Sequence, residues 1–332
     1  MRHRKRMILG MIIVMVGCLA LFAAATYFAG QSARAEMLAQ NPAPGELVDI
    51  GGRKIHLNCK GEGSPTVVFE AGMNEFSVQW VTIQDALQAT NRVCSYDRAG
   101  FGWSDVTEES FTAERAVSDL HNVLVTANVP PPYLFVGHSF GGINSRLFAD
   151  QYPHEVMGMV LVDSAHEEQV ERLPTVIGGA TTELVSQFES FQQMNRLGLM
   201  ALSPEQIPAP DLPATAVFQY RAILASTSFF ETAVAESEAF PQYLRDAKAQ
   251  NATNFGDMPI IILTRGQADP FVGVSAADNA KYEEVWQELQ LDLTQLSTNT
   301  KQIIAEESGH YIHLDQPELV IEAIKEIGDG QP

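Results

Sequence analysis

The chain has 332 residues, with 41 Asp and Glu against 21 Lys and Arg. After Arg34 only 16 bases face those 41 acids, a net charge of −25, which repels nucleic acid and anionic headgroups and is expected to keep the body soluble. Three cysteines, no C-x-x-C and no H-E-x-x-H leave no metal-ligand pattern, so neither a metal nor an organic cofactor is expected.

Arg2, Arg4, Lys5 and Arg6 form a basic flank over residues 1–6, and residues 7–29 then run without a charge. As a helix those 23 residues span about 35 Å, enough to cross a hydrocarbon core of about 30 Å. The basic flank predicts a cytoplasmic start, with the body outside the cytoplasm. A cleaved signal peptide is the competing expectation, because Ala33-Arg34-Ala35 has the small-x-small form of a cleavage site. Residues 30–45, with Pro42 and Pro44, read as a linker.

Beyond residue 46, apolar strand-like runs alternate with helical patterns. Residues 47–50 and 54–59 flank Gly51-Gly52 and suggest a hairpin. Six further short runs follow, at 66–70, 92–96, 133–137, 159–163, 260–264 and 302–305. Most are nearly continuous in Val, Ile, Leu and Phe, as in parallel strands buried on both faces. Between them apolar residues step by three or four, as at Val117, Leu120, Leu124 and Ala127. The alternation predicts an α/β layer fold with a mostly parallel sheet. Residues 165–257 break the pattern with helical segments rich in Phe and Met, too long for a loop, and read as an inserted helical lid. The core is then 46–164 together with 258–328.

The run Tyr133-Leu134-Phe135-Val136 leads into Gly137-His138-Ser139-Phe140-Gly141-Gly142. A strand ending in G-x-S-x-G and passing into a helix is a nucleophile elbow, with Gly137 and Gly141 as its close-packing glycines. A serine hydroxyl needs a base, an acid that orients the base, and donors for an oxyanion. The expected chain order is Ser, then Asp or Glu, then His. His310 follows the last strand-like run and is the candidate base; His313, three residues on, is its competitor. Asp269, just past the run at 260–264, is the candidate acid, with Asp163 as runner-up. The oxyanion donors are expected at the backbone N–H groups of Phe140 and of Met73, the latter in the Glu70-Ala71-Gly72-Met73 turn.

With those residues in place, the chain resembles a lidded serine hydrolase of the α/β-hydrolase superfamily, of the membrane-anchored or secreted bacterial type. The likeness covers about residues 46–327. It rests on the Glu70–Gly72 turn, the stretch Tyr96-Asp97-Arg98-Ala99-Gly100-Phe101-Gly102-Trp103-Ser104, the elbow, Asp269, and Ser308-Gly309-His310 with its Asp315-Gln316-Pro317-Glu318 tail. The resemblance implies an eight-stranded, mostly parallel sheet in the order 1-2-4-3-5-6-7-8, with the lid between strands 6 and 7. It assigns Asp97 and Arg98 to a structural turn. It also places the strand of Cys59 beside that of Cys94 and so implies a disulfide between them. Serine at the elbow argues against the branches that use Asp there. The implied activity is hydrolysis of a carboxylic ester of a small acyl substrate, and the Phe and Met content of the lid suggests that this substrate is partly apolar. Thioester, amide, lactone or carbon–carbon cleavage stays open, as does a membrane-tethered binding protein without activity.

Overall fold

The computed structural model describes residues 2–330; Met1, first residue of the basic flank, lies outside that range. Helix α1 (Arg2–Gln40) opens the chain. Eight strands follow: β1 (Glu46–Asp49), β2 (Lys54–Lys60), β3 (Thr66–Glu70), β4 (Arg92–Tyr96), β5 (Tyr133–His138), β6 (Val156–Val162), β7 (Ile260–Arg265) and β8 (Thr300–Ala305). They form one sheet in the order β1-β2-β4-β3-β5-β6-β7-β8. The first two pairings are antiparallel and the remaining five parallel.

Helix α2 (Val81–Leu87) follows β3, α3 (Ala113–Thr126) follows β4, and α4 (Phe140–Gln151) follows β5. Between β6 and β7 lie α5 (Gln169–Arg172), α6 (Thr175–Arg196), α7 (Ala214–Leu224) and α8 (Phe229–Gln250). Helix α9 (Ala276–Asp292) joins β7 to β8, and α10 (Ile312–Asp315) and α11 (Pro317–Asp329) close the chain.

The side-chain period of a strand explains the layering. On β3, Val67 and Phe69 face a core shared with Ile83 and Leu87 of α2 and Val320, Ile324 and Ile327 of α11. Val68 faces the opposite core, shared with Val117, Leu120 and Leu124 of α3 and Ile143 and Leu147 of α4. Both faces are covered, which is why β3 and β5 read as continuous apolar runs. Cys59 and Cys94 stand opposite each other in the β2–β4 register and are joined by a disulfide.

One expectation of organisation is corrected. Residues 30–40 are not a linker: α1 continues unbroken to Gln40. Ala33, Arg34, Ala35, Glu36, Met37, Leu38 and Ala39 are mostly strong helix formers, and the helix stops only short of Pro42.

Candidate active site

The elbow is built by strain and by the absence of side chains. Ser139 takes φ 49° and ψ −118° between β5 and α4, a conformation that surrounding structure must enforce. A Cβ on Gly137 would stand 2.5 Å from the Gly141 carbonyl, and one on Gly141 would stand 2.2 Å from the Glu70 carbonyl. Only glycine lets α4 start so close to β3 and β5. The Ser139 N–H donates to the Val162 carbonyl (3.0 Å) and its own carbonyl accepts from Ala165 (2.9 Å), which ties the turn to the end of β6. The Ser139 side chain does not cap α4.

His310 sits in the loop between β8 and α10, and its Nδ1 lies 2.6 Å from Asp163 Oδ2. Asp163 directly follows β6, is fully buried, and has φ 40°. The Arg265 N–H (3.2 Å) and Trp286 Nε1–H (3.0 Å) also donate to its carboxylate, and the Arg265 guanidinium lies 3.3 Å away. Burial pushes this carboxyl up, but the His310 hydrogen bond and the His310 and Arg265 charges outweigh it and hold the pKa below its ordinary value. Asp269 is exposed in the loop after β7 and makes no hydrogen bond to His310 among the described residues. The carboxylate expected at Asp269 is therefore found at Asp163. The reason is local: the positive φ turns Asp163 off β6 toward His310, while Arg265 and Trp286 stabilise a buried charge there. The signal available in sequence was an Asp ending a wholly apolar strand, a position that demands partners.

The turn after β3 supplies free donors. The Gly72 N–H is taken by Glu75 Oε2 at 2.6 Å. The N–H groups of Met73 and Phe140 have no protein acceptor among the described residues. Arg98 fixes the turn from outside: its Nη1 and Nη2 donate to the Ala71 and Gly72 carbonyls at 2.7 Å each. Its Nε donates to Glu236 Oε1 of α8 (2.9 Å), and Glu236 Oε2 accepts the Asn74 N–H (2.7 Å). Asp97 accepts from the Ser77 N–H (2.7 Å) and the Trp103 N–H (3.1 Å) and pairs with His56 Nδ1 (2.6 Å). Both Asp97 and Arg98 thus hold turns in place.

The sheet order, the elbow and the His310–Asp163 pair coincide with a family match: residues 65–198 fit the alpha/beta hydrolase fold. The chain has the α/β-hydrolase fold. Among curated relatives, the uncharacterized protein YqjL of Bacillus subtilis (strain 168) is 27% identical over 279 residues, 84% of this chain and 89% of that protein. Among solved structures, a membrane phospholipase A described as a bacterial virulence factor matches at TM-score 0.57 and 19% identity, over 98% of both chains. A thermophilic esterase from Thermogutta terrifontis matches at TM-score 0.56 and 19% identity, over 84% of this chain and 96% of that one.

Behind the elbow lies a buried polar cluster that sequence reading missed. His138 Nε2 lies 2.9 Å from the His310 carbonyl, which can only accept, so that nitrogen is protonated. His138 Nδ1 lies 2.9 Å from Glu75 Oε2. Burial pushes the Glu75 carboxyl up, but the His138 charge and hydrogen bond, His313 and the Gly72 N–H bring it down to about 2. Burial opposes charge on His138 as well, yet Glu75 raises its pKa above the ordinary value. Both nitrogens of His138 are donors, and the pair is a buried imidazolium–carboxylate. Glu75 thus joins the Gly72 turn, the elbow and, through His138, the His310 loop.

His313 packs at a tilt against Trp80 (4.6 Å between ring centroids) and against His138 (4.4 Å). Neither of its nitrogens has a partner among the described residues. Burial and the His138 charge bring its pKa down to about 3, so the ring is neutral. Ligand atoms of Glu75, His138 and His313 lie within 4.8 Å of one another. In the folded chain His138 spends Nε2 on the His310 carbonyl and Nδ1 on Glu75.

Proposed function

We propose that the protein hydrolyses a carboxylic ester through Ser139, His310 and Asp163. The observation that carries this reading is the 2.6 Å contact between His310 Nδ1 and Asp163. It fixes the tautomer in which Nδ1 holds the proton and Nε2 is the free base. The Ser139 hydroxyl attacks the acyl carbon while its proton passes to His310 Nε2. The carbonyl oxygen becomes an oxyanion, held by the Met73 and Phe140 N–H groups. As it collapses, the carbon–oxygen bond to the alcohol breaks, and His310 returns the proton to that alcohol. Water then attacks the acyl-enzyme, gives its proton to His310, and the acid leaves as Ser139 recovers its hydrogen. No step requires a cofactor. The helices between β6 and β7 act as a lid, and the catalytic core comprises residues 46–164 and 258–328.

We further propose that α1 anchors the enzyme and that the core lies outside the cytoplasm. The helix holds a stretch of mean hydropathy 2.7 that is wholly exposed. The match to the membrane phospholipase A runs over 98% of this chain, which leaves room to omit only a few residues of α1. The Cys59–Cys94 disulfide fits an oxidising compartment.

Ser139→Ala is expected to abolish both ester turnover and labelling by a fluorophosphonate probe, with an unchanged unfolding midpoint. Retained turnover in that variant refutes the assignment.

A further inference from the structure

Helix α1 has two parts with different surroundings. Residues 7–29 are exposed almost throughout, and the first buried residue is Gly30. Gly30 lies against the backbone of Gly198, just past α6: a Cβ on Gly30 would stand 2.5 Å from the Gly198 carbonyl. Gln31 Nε2 donates to the Arg196 carbonyl (3.0 Å) and Arg34 Nη1 to that of Asn195 (2.6 Å). Ala33 and Met37 pack into an apolar cluster with Ala201, Ile207 and Ala216 of the inserted helices. The insertion therefore grips α1 from the residue that follows the apolar stretch, with no slack between.

That contact fixes a level in space. A helix rises about 1.5 Å per residue, so Gly30 lies one residue beyond the end of the span. Its partner Gly198 is flanked by Leu197 and Leu199, which are 51% and 36% exposed. Met194 and Leu202 nearby are also exposed, and Phe218 on α7 is 61% exposed. Water is a poor environment for such a group: four exposed apolar side chains fall within nine residues of chain around the contact with α1, and a cluster of that kind marks an interaction site. With the body at a net charge of −25, attachment through anionic headgroups is disfavoured, so apolar side chains must make the contact. The same insertion reaches the site: Tyr220 of α7 stacks on Phe76 at 5.3 Å, next to Glu75 in the turn that carries Met73.

We propose that the surface around Gly198 rests on the outer leaflet of the bilayer that α1 crosses, and that the substrate is an acyl ester whose hydrocarbon chain passes from that leaflet under α7 to Ser139. This rests on the anchoring and on the serine-hydrolase reading above. The competing occupant of the patch is a second copy of the chain.

The full-length protein is placed in nanodiscs of phosphatidylcholine with brominated acyl chains, which quench nearby tryptophan. Leu197→Trp is compared with Leu291→Trp on α9, another exposed leucine, each against the parent with its three native tryptophans. Added emission from Leu197→Trp is expected to be quenched and that from Leu291→Trp spared. Equal emission from both in a protein still labelled at Ser139 overturns the docking. Emission at position 197 shielded only in cross-linked dimers overturns it in favour of a second copy. In a second arm, Leu197→Glu with Leu199→Glu is expected to lower hydrolysis of a vesicle-borne long-chain ester about tenfold or more, while a soluble short-chain ester is turned over within about twofold of the parent. An equal loss on both esters overturns the leaflet route. If neither ester is hydrolysed and Ser139 is not labelled in the parent, the hydrolase reading fails, while the quenching arm still reports on docking.

Discussion

Asp163 and Asp269 both follow a core strand and both precede His310, so chain order alone does not separate them. Backbone direction does: Asp163 turns at φ 40° into the space beside His310, whereas Asp269 points into solvent from its loop. Asp163→Asn is expected to cut kcat by about 10⁴, the cost of losing the orienting carboxylate of a triad. Asp269→Asn is expected to leave kcat within about twofold. A reversed pattern would move the acid back to the β7 loop. A second residue, His313, ties the site to stability. Its ring is neutral in the folded chain down to about pH 3, while in the unfolded chain it protonates near its ordinary value of 6.5. Between those values the unfolded state binds a proton that the folded state does not, so acidification through this window lowers stability. His313→Phe removes the effect and two unpartnered nitrogens, while keeping a ring against Trp80. Its stability advantage over the parent should grow by about 2 kcal/mol from pH 8 to pH 5, measured by urea unfolding at each pH. A constant difference would mean that His313 charges in the fold. Ser139 and His310 stood out in the sequence because each sits in a local motif, and the structure places the first at the β5–α4 turn and the second against Asp163. The Glu75–His138 pair was not, because its partners are 63 residues apart and only the fold brings them together.

At the scale of elements, the sequence showed most where burial is complete. Strands β3, β5 and β7 are buried along their length and appear as apolar runs. Strand β8 lies at the sheet edge with only Ala305 fully buried, and only residues 302–305 stood out. The extent of α1 was misread because Pro42 and Pro44 draw attention to a linker, whereas the helix formers just before them decide the conformation. The pairing of Cys59 with Cys94 came from resemblance, and it joins β2 to β4 in direct register, across 35 residues of chain. Closing a loop of that length restricts the unfolded chain by about 3–4 kcal/mol. Cys59→Ser combined with Cys94→Ser should lower unfolding stability by about that amount in denaturant titration. A change under about 1 kcal/mol would mean the unfolded chain gains little freedom when the bond is absent.

At the scale of the whole molecule, one unbroken helix carries both the exposed apolar stretch and the residues that pack on the inserted helices. Ten residues of α1 lie beyond Gly30, about 15 Å of rise, and the inserted helices are fastened along them. A flexible tether would let the body sample a hemisphere of solvent; a stiff post does not. With α1 in a bilayer, the body travels in a thin slab and meets other molecules by lateral diffusion. On the proposed leaflet route, the concentration that governs turnover is a surface density, the mole fraction of ester in the leaflet. Dilution of the bulk leaves that quantity untouched, while dilution of the substrate with inert lipid lowers it.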